Sequence, residues 1–262
     1  MIAKEIARLL NCNWSPILLG KFHAYIPDYF RLFGISTHLH GMYHFEFYRK
    51  IQKQLSNSFQ VISGIVGDAW SGNVQVPEIK QPADVWQLGK CAGLHADMNF
   101  SKFSPEIDLE KEYFVNAEDR LKTEEGRIIE LVRFKMMLLK YLMLVPQSIR
   151  LESWSPFLNI DISTAILRLD PRLRLNRKWQ VDYFRQIGIF VDHSGLDYSV
   201  ENSLDLDAHA QQPLPKLSPR ILGKFFEEAY LQHCIQNVDN LYGYNNIVTL
   251  LPIQKLLWPP TF

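Results

Sequence analysis

Only two stretches of this chain read as β-strands, and that scarcity limits its fold more than any other feature. They are the short apolar runs "SPILL" (15–19) and "FQVIS" (59–63). A helix precedes each. "IAKEIARLL" sets Ile2, Ile6, Leu9 and Leu10 on one stripe before "NCNW" closes the turn. Residues 25–55 are aromatic-rich, mostly helical in period, and end in "FEFYRKIQKQL". Helix, strand, helix, strand is the alternation of a parallel α/β layer.

Beyond the proline-bearing loop 76–86 the pattern turns helical. Helices are expected at 124–145, 161–169, 177–187 and 219–236, the last with Ser218 as N-cap and Pro219 in its first turn. "QQPLPKLSP" (211–219) reads as a connector. The organisation expected is a partial α/β region over 1–75 and a mainly helical region over 76–262, packed together as one domain. No repeat or low-complexity tract interrupts it.

Lys plus Arg number 28 and Asp plus Glu number 28. This balance supplies no electrostatic argument for a nucleic-acid or anionic-membrane partner. The most apolar segment, "FKMMLLKYLMLV" (134–145), carries Lys135 and Lys140 and is shorter than the ~20 residues a membrane span needs, so it reads as a buried helix. Cys12, Cys91 and Cys234 are far apart and match no metal-knuckle or CxxC spacing. Reduced thiols and a cytoplasmic setting are therefore expected, the more so because no apolar signal segment follows Met1.

Among chemistry-bearing motifs, "HLHGMYH" brings His38, His40 and His44 close together, with Glu46 beside them. A metal site needs such a cluster, but His38 leaves the helix face that His40 and His44 share, so surface or partly buried polar histidines are expected. The basic string "RLRLNRK" (172–178) is interrupted by Leu173, Leu175 and Asn176, and reads as the solvated start of a helix rather than a phosphate site. No nucleophile elbow, phosphate-cradling GxxxxGK or dinucleotide GxGxxG occurs.

The small-residue loop "SGIVGDAW" (63–70), followed much later by "LESWSPFLNIDISTAILRLDPRLRL" (151–175), resembles the synthetase domain of the asparagine synthase family. That family has a strand running into a loop of the form SGxGxDE, then a segment like ExRxPFLD, a helix and a proline. Ser63, Gly64 and Asp68 match the loop. Glu152, Pro156, Phe157 and Leu158 match the later segment, and Pro171 matches the proline. "AKEIARLLN" resembles the helix before the family's third strand, and "NSLDLDAHAQQPLPKL" (202–217) is similar to a branch linked to bacterial surface-polysaccharide genes.

The resemblance implies an α/β fold, the remnant of a doubly wound parallel sheet of adenine nucleotide α-hydrolase type, with a mainly helical C-terminal layer. It implies ATP and Mg²⁺ as cofactors of an AMP-forming amide synthesis. Asp68 would hold the metal or the substrate amine, and Ser63, Gly64 and Gly67 would lie against the nucleotide or acyl group.

The departures are specific. Ile65 and Ala69 stand where the loop carries acids, Trp154 where arginine is usual, Asn159 where aspartate is, and Ile187 in "RQIGIF" where a lysine would fall. SGGxDS, the family's pyrophosphate loop, does not occur; the family places it before "AKEIARLL". In a 3-2-1-4-5 order, strands at 15–19 and 59–63 would be third and fourth, leaving a gap of about 10 to 15 Å that strands spaced near 4.8 Å cannot pair across. Either the strands collapse together, or helices fill the gap, or another polypeptide supplies the missing pair.

Two readings follow. One is an incomplete asparagine-synthase-like domain, inactive alone and completed by an upstream or partner polypeptide. The other is a non-catalytic scaffold that binds a partner chain or metabolite. Both expect a buried strand over 59–63 with Asp68 at the rim of the main cleft. Pro156 should stiffen its turn, Phe157 and Leu158 should fill the seam to the helical layer, and Asn159 should stand at the start of the next helix as its cap or beside the cap.

Overall fold

The computed structural model describes residues 2–34, 36–54, 60–95, 97–102, 108–189 and 203–257. The chain opens with α1 (Ile2–Leu9), α2 (Ile26–Phe33) and α3 (Tyr43–Gln54), then β1 (Gln60–Ile62) and the single turn α4 (Gly67–Trp70). The middle is α5 (Trp86–Cys91), α6 (Leu109–Leu121), α7 (Glu124–Leu138), α8 (Tyr141–Ser148) and β2 (Glu152–Trp154). Next come α9 (Ile160–Leu167), α10 (Pro171–Arg174), α11 (Lys178–Gln186) and α12 (Leu204–Gln211). The described chain closes with α13 (Pro219–Leu222), α14 (Glu228–Gln236) and α15 (Leu241–Leu257). It is mainly helical, with one two-stranded parallel sheet among the described residues.

Local chemistry places many helix ends. Asp108 and Thr123 cap α6 and α7 by accepting from Lys111 N at 2.9 Å and Gly126 N at 3.1 Å. Asn159 caps α9 as expected, its Oδ1 accepting from Asp161 N at 3.0 Å and Ile162 N at 3.1 Å. After α1, Asn11 turns left-handed at φ 52° and the chain leaves the helix at "NCNW".

Two expected helices are interrupted. The run at 124–145 breaks between Leu138 and Tyr141, and the run at 219–236 stops at Leu222 and restarts at Glu228. At the second break residues 100–102 compete for the backbone. Lys102 N donates to Phe225 O at 2.6 Å and Glu227 N to Phe100 O at 2.9 Å, drawing 223–227 out of the helix. Ser218 does stand before Pro219, but its side chain makes no capping bond.

The expected strand at 15–19 does not form. A strand requires a neighbour to take its backbone groups. Here Lys50 Nζ takes Leu18 O at 2.7 Å, and the Leu18 side chain is 83% exposed. The strand that does form beside β1 is β2, at the front of the "ESWSPF" segment, in parallel register Gln60↔Glu152, Val61↔Ser153 and Ile62↔Trp154. Side chains alternate across a strand. Gln60, Ile62, Glu152 and Trp154 therefore share one face, where Ile62 is 72% and Trp154 53% exposed, and β1 is not the buried strand expected from its apolar run. Phe59 lies outside the described residues.

Two cores hold the helices. The first joins Phe22, Tyr29, Leu39 and Met42 from the front of the chain to Val145 and to Leu222, Leu231, Tyr244 and Val248 from the back. The second gathers Ile65, Val66, Ala69, Leu88, Leu121 and Leu131 around the loop after β1. No described helix is long and apolar enough to cross a membrane.

Candidate functional site

The loop after β1 is held at both ends. Ser63 N donates to Trp154 O at 2.8 Å, continuing the ladder, and buried Ser63 Oγ accepts from Ile65 N at 3.2 Å. Ile65 and Val66 then turn inward, each 1% exposed. Val66 takes φ 56°, a left-handed conformation that a β-branched residue rarely adopts. It is the fourth position of the SGxGxDE form, where that form carries glycine.

The four residues singled out from the sequence sit differently. Gly64 faces open space, with no atom within 4 Å of where a Cβ would stand. Gly67 packs against the Phe157 ring, which a Cβ would meet at 2.5 Å. Ser63 is buried in the strand end. Asp68 begins α4 half-exposed. Its Oδ1 accepts from Ala69 N at 2.9 Å and its Oδ2 from Lys135 Nζ at 2.6 Å.

Lys135 is the residue that sequence reasoning missed. It projects from α7 with only 7% of its side chain exposed. The signal was present in "FKMMLLKYLMLV": a lysine inside an apolar helical run must find an acid or leave the core.

The second motif segment packs directly on this loop. Trp70 Nε1 donates to Phe157 O at 3.1 Å, and Ser163 Oγ donates to the same carbonyl at 2.9 Å. Phe157 is partly buried against the second core, as expected of a seam residue, whereas Leu158 is 44% exposed and fills nothing.

A groove of about 730 Å³ lies along β2, lined by Gln60, Gln147, Arg150, Leu151, Glu152, Ser153 and Trp154. Asp68, expected at the rim of the main cleft, does not line this groove. The basic string 172–178 is exposed as expected except at one residue. Arg174 is 1% exposed rather than solvated, with its guanidinium 3.4 Å from both Glu124 and Glu125.

His38 and His44 are buried, and His40 and His95 stack edge-on beside them at ring separations of 4.6 Å (His38–His40) and 5.2 Å (His40–His95). Burial pushes His38 and His44 down to about 4. Glu46 is not with them: its carboxylate takes Lys50 Nζ and the N–H groups of Gly20 and Lys21. Among the described residues no group of three His, Cys, Asp or Glu is arranged to hold a metal ion.

Comparison with family models, with curated proteins and with solved structures gives no match to this chain.

Proposed function

We propose that this chain is an asparagine-synthase-like domain, related to ATP-dependent, AMP-forming amide synthesis in surface-polysaccharide production, and incomplete by itself. One observation carries the reading. The two segments that bear the resemblance are about ninety residues apart in sequence, yet β1 and β2 lie side by side in parallel register. Gly67 meets Phe157, and Trp70 bonds its carbonyl. The left-handed backbone at Val66 adds support, because it is the conformation a glycine at that position of the loop form would supply.

In this reading β1 and β2 are the fourth and fifth strands of a doubly wound sheet. The missing central strands would then belong on the free edge of β1, contributed by an upstream or partner polypeptide. The residues present do not suit a magnesium–nucleotide site. Asp68 is committed to Lys135, and the first and last of the positions where the family's loop carries acids are filled by buried Ile65 and Ala69. We therefore derive no catalytic step from this loop.

A second reading, a non-catalytic scaffold, draws on the same apolar filling. Ile65 at 1% and Ala69 at 0% exposure give the loop a packed interior that needs no ligand to hold it.

The test is ATP turnover. The isolated chain, with ATP, Mg²⁺, ammonia and candidate carboxylates, is expected to form no AMP or pyrophosphate. Steady AMP formation abolished by Asp68→Ala overturns the claim of incompleteness. The coding sequence upstream of Met1 separates the two readings. An in-frame SGGxDS whose inclusion restores turnover supports the ligase, and inclusion of an upstream sequence that restores nothing supports the scaffold.

A further inference from the structure

We propose that the groove formed by Arg127, Arg172 and Arg174 at the start of α7 binds a small oxyanion, of phosphate or carboxylate chemistry. The site stands on its own geometry and does not depend on the ligase reading.

The groove, about 290 Å³, is lined by these three arginines together with Gly72, Gln75, Glu124 and Pro171 among others. This is below the size of most drug-sized pockets and suits a small group. Arg174 forms its inner wall. Its Nε donates to Leu169 O at 3.3 Å and its Nη2 to Glu125 Oε1 at 3.4 Å, while Nη1 has no hydrogen-bond partner although it is fully buried. Glu124 Oε1 lies 3.4 Å from that nitrogen, an ion-pair distance without hydrogen-bond geometry. Both glutamates are nearly half exposed, at 46% and 48%. A guanidinium buried to this degree is thus compensated only by long, water-weakened contacts, and a buried donor without an acceptor is costly.

Arg127 adds a second unsatisfied donor. Its Nη1 caps the end of α6 through Leu121 O at 3.1 Å and Lys122 O at 3.4 Å, but its buried Nε has no partner. Arg127 makes no close ion pair among the described residues, and its charge acts on the Glu78 carboxylate only at longer range. Arg172, at the mouth, is exposed and held by Asp170 at 2.7 Å. Guanidinium groups recognise carboxylate and phosphate oxygens through N–H donors. The Arg172 pair is already taken by Asp170, through Nε at 3.1 Å and Nη2 at 2.7 Å, so an oxyanion draws on Arg174 and Arg127 and competes with Asp170 for Arg172.

The backbone is built to keep the groove in place. Gly72, at φ 82°, lies so close to Arg174 that a Cβ would stand 2.1 Å from its carbonyl oxygen, and Asn176 N donates to Gly72 O at 3.2 Å. The far end of the loop after β1 is therefore clamped to the arginine string.

The experiment titrates the full chain with inorganic phosphate and, separately, acetate, each against sodium chloride at matched ionic strength. Thermal midpoints and the arginine Nε–H resonances are recorded. A saturable rise in midpoint with phosphate or acetate beyond the chloride control is expected, and the more effective anion identifies the class of ligand. The Arg127 and Arg174 Nε–H signals should move with the same midpoint. Arg172→Gln, exposed and safe for folding, should weaken binding by about tenfold, and Arg127→Gln by at least as much. Midpoints that follow ionic strength alone, or saturation unchanged in both variants, overturn the proposal.

Discussion

Asp68 Oδ2 and Lys135 Nζ form a 2.6 Å charge-assisted hydrogen bond that ties the loop after β1 to α7 across 67 residues of sequence. The two partners are unequal, the lysine being 7% exposed and the aspartate 38%. Removing the acid strands a buried ammonium, whereas removing the lysine leaves a carboxylate that water can reach. Asp68→Ala is therefore expected to cost about 2–3 kcal/mol in urea unfolding and Lys135→Met about 1 kcal/mol. The double variant should be more stable than Asp68→Ala alone. Equal losses in the two single variants would contradict this asymmetry.

The seam between the two motif segments is testable at Gly67. A methyl there would meet the Phe157 ring at 2.5 Å, so Gly67→Ala should cost about 1–3 kcal/mol by overpacking. Phe157→Leu in the same chain should recover part of that loss. Because Phe157 is only partly buried, Phe157→Ala should cost about 2–3 kcal/mol, less than a fully buried ring would. Leu158→Ala, at an exposed position, should stay within about 0.5 kcal/mol.

The histidine cluster makes stability fall on acidification. Burial holds His38 and His44 down to about 4 and His40 well below the ordinary 6.5, so each is neutral in the fold and gains a proton more easily when unfolded. A depressed imidazole contributes stability that is complete above pH 6.5 and is lost as pH falls from there toward 4. Each of His38 and His44 accounts for up to about 3 kcal/mol over that window. Urea midpoints taken from pH 7.5 to 4.5 should fall steadily below pH 6.5. A flat profile would mean that these rings are not buried neutral.

Asp205 works in the opposite sense. Burial raises its carboxyl to about 6 against a slight lowering by the Tyr244 hydroxyl, so it is held ionised at neutral pH at a cost. That cost is absent below about pH 4, grows as pH rises from there toward 6, and is complete above it. Asp205→Asn should stabilise the chain at pH 7.5 by about 1–3 kcal/mol and make no difference near pH 4. Loss of stability at pH 7.5 would show that the ionised carboxylate is a needed partner of the Tyr244 hydroxyl.

Features that depend on a few neighbouring residues were legible in the sequence alone. Asn159 caps α9 and Asn11 ends α1, because caps act through backbone groups within one turn. The adjacency of the loop after β1 and the "SPFLN" turn was also foreshadowed, through a resemblance of motifs rather than through periodicity.

What the sequence left open were the choices that depend on distant partners. Residues 15–19 are as apolar as a strand, but no strand among the described residues lies beside them, whereas the less strand-like residues 152–154 pair because β1 does. Lys135, read as a charge within an apolar helix, acquires its role only when folding brings Asp68 to it. Arg174 lies in a string that reads as solvated, yet the turn at Gly72 and the start of α7 close over it. Strand pairing and burial of charge are decided by what covers a segment from elsewhere in the chain, and only the tertiary structure supplies that cover.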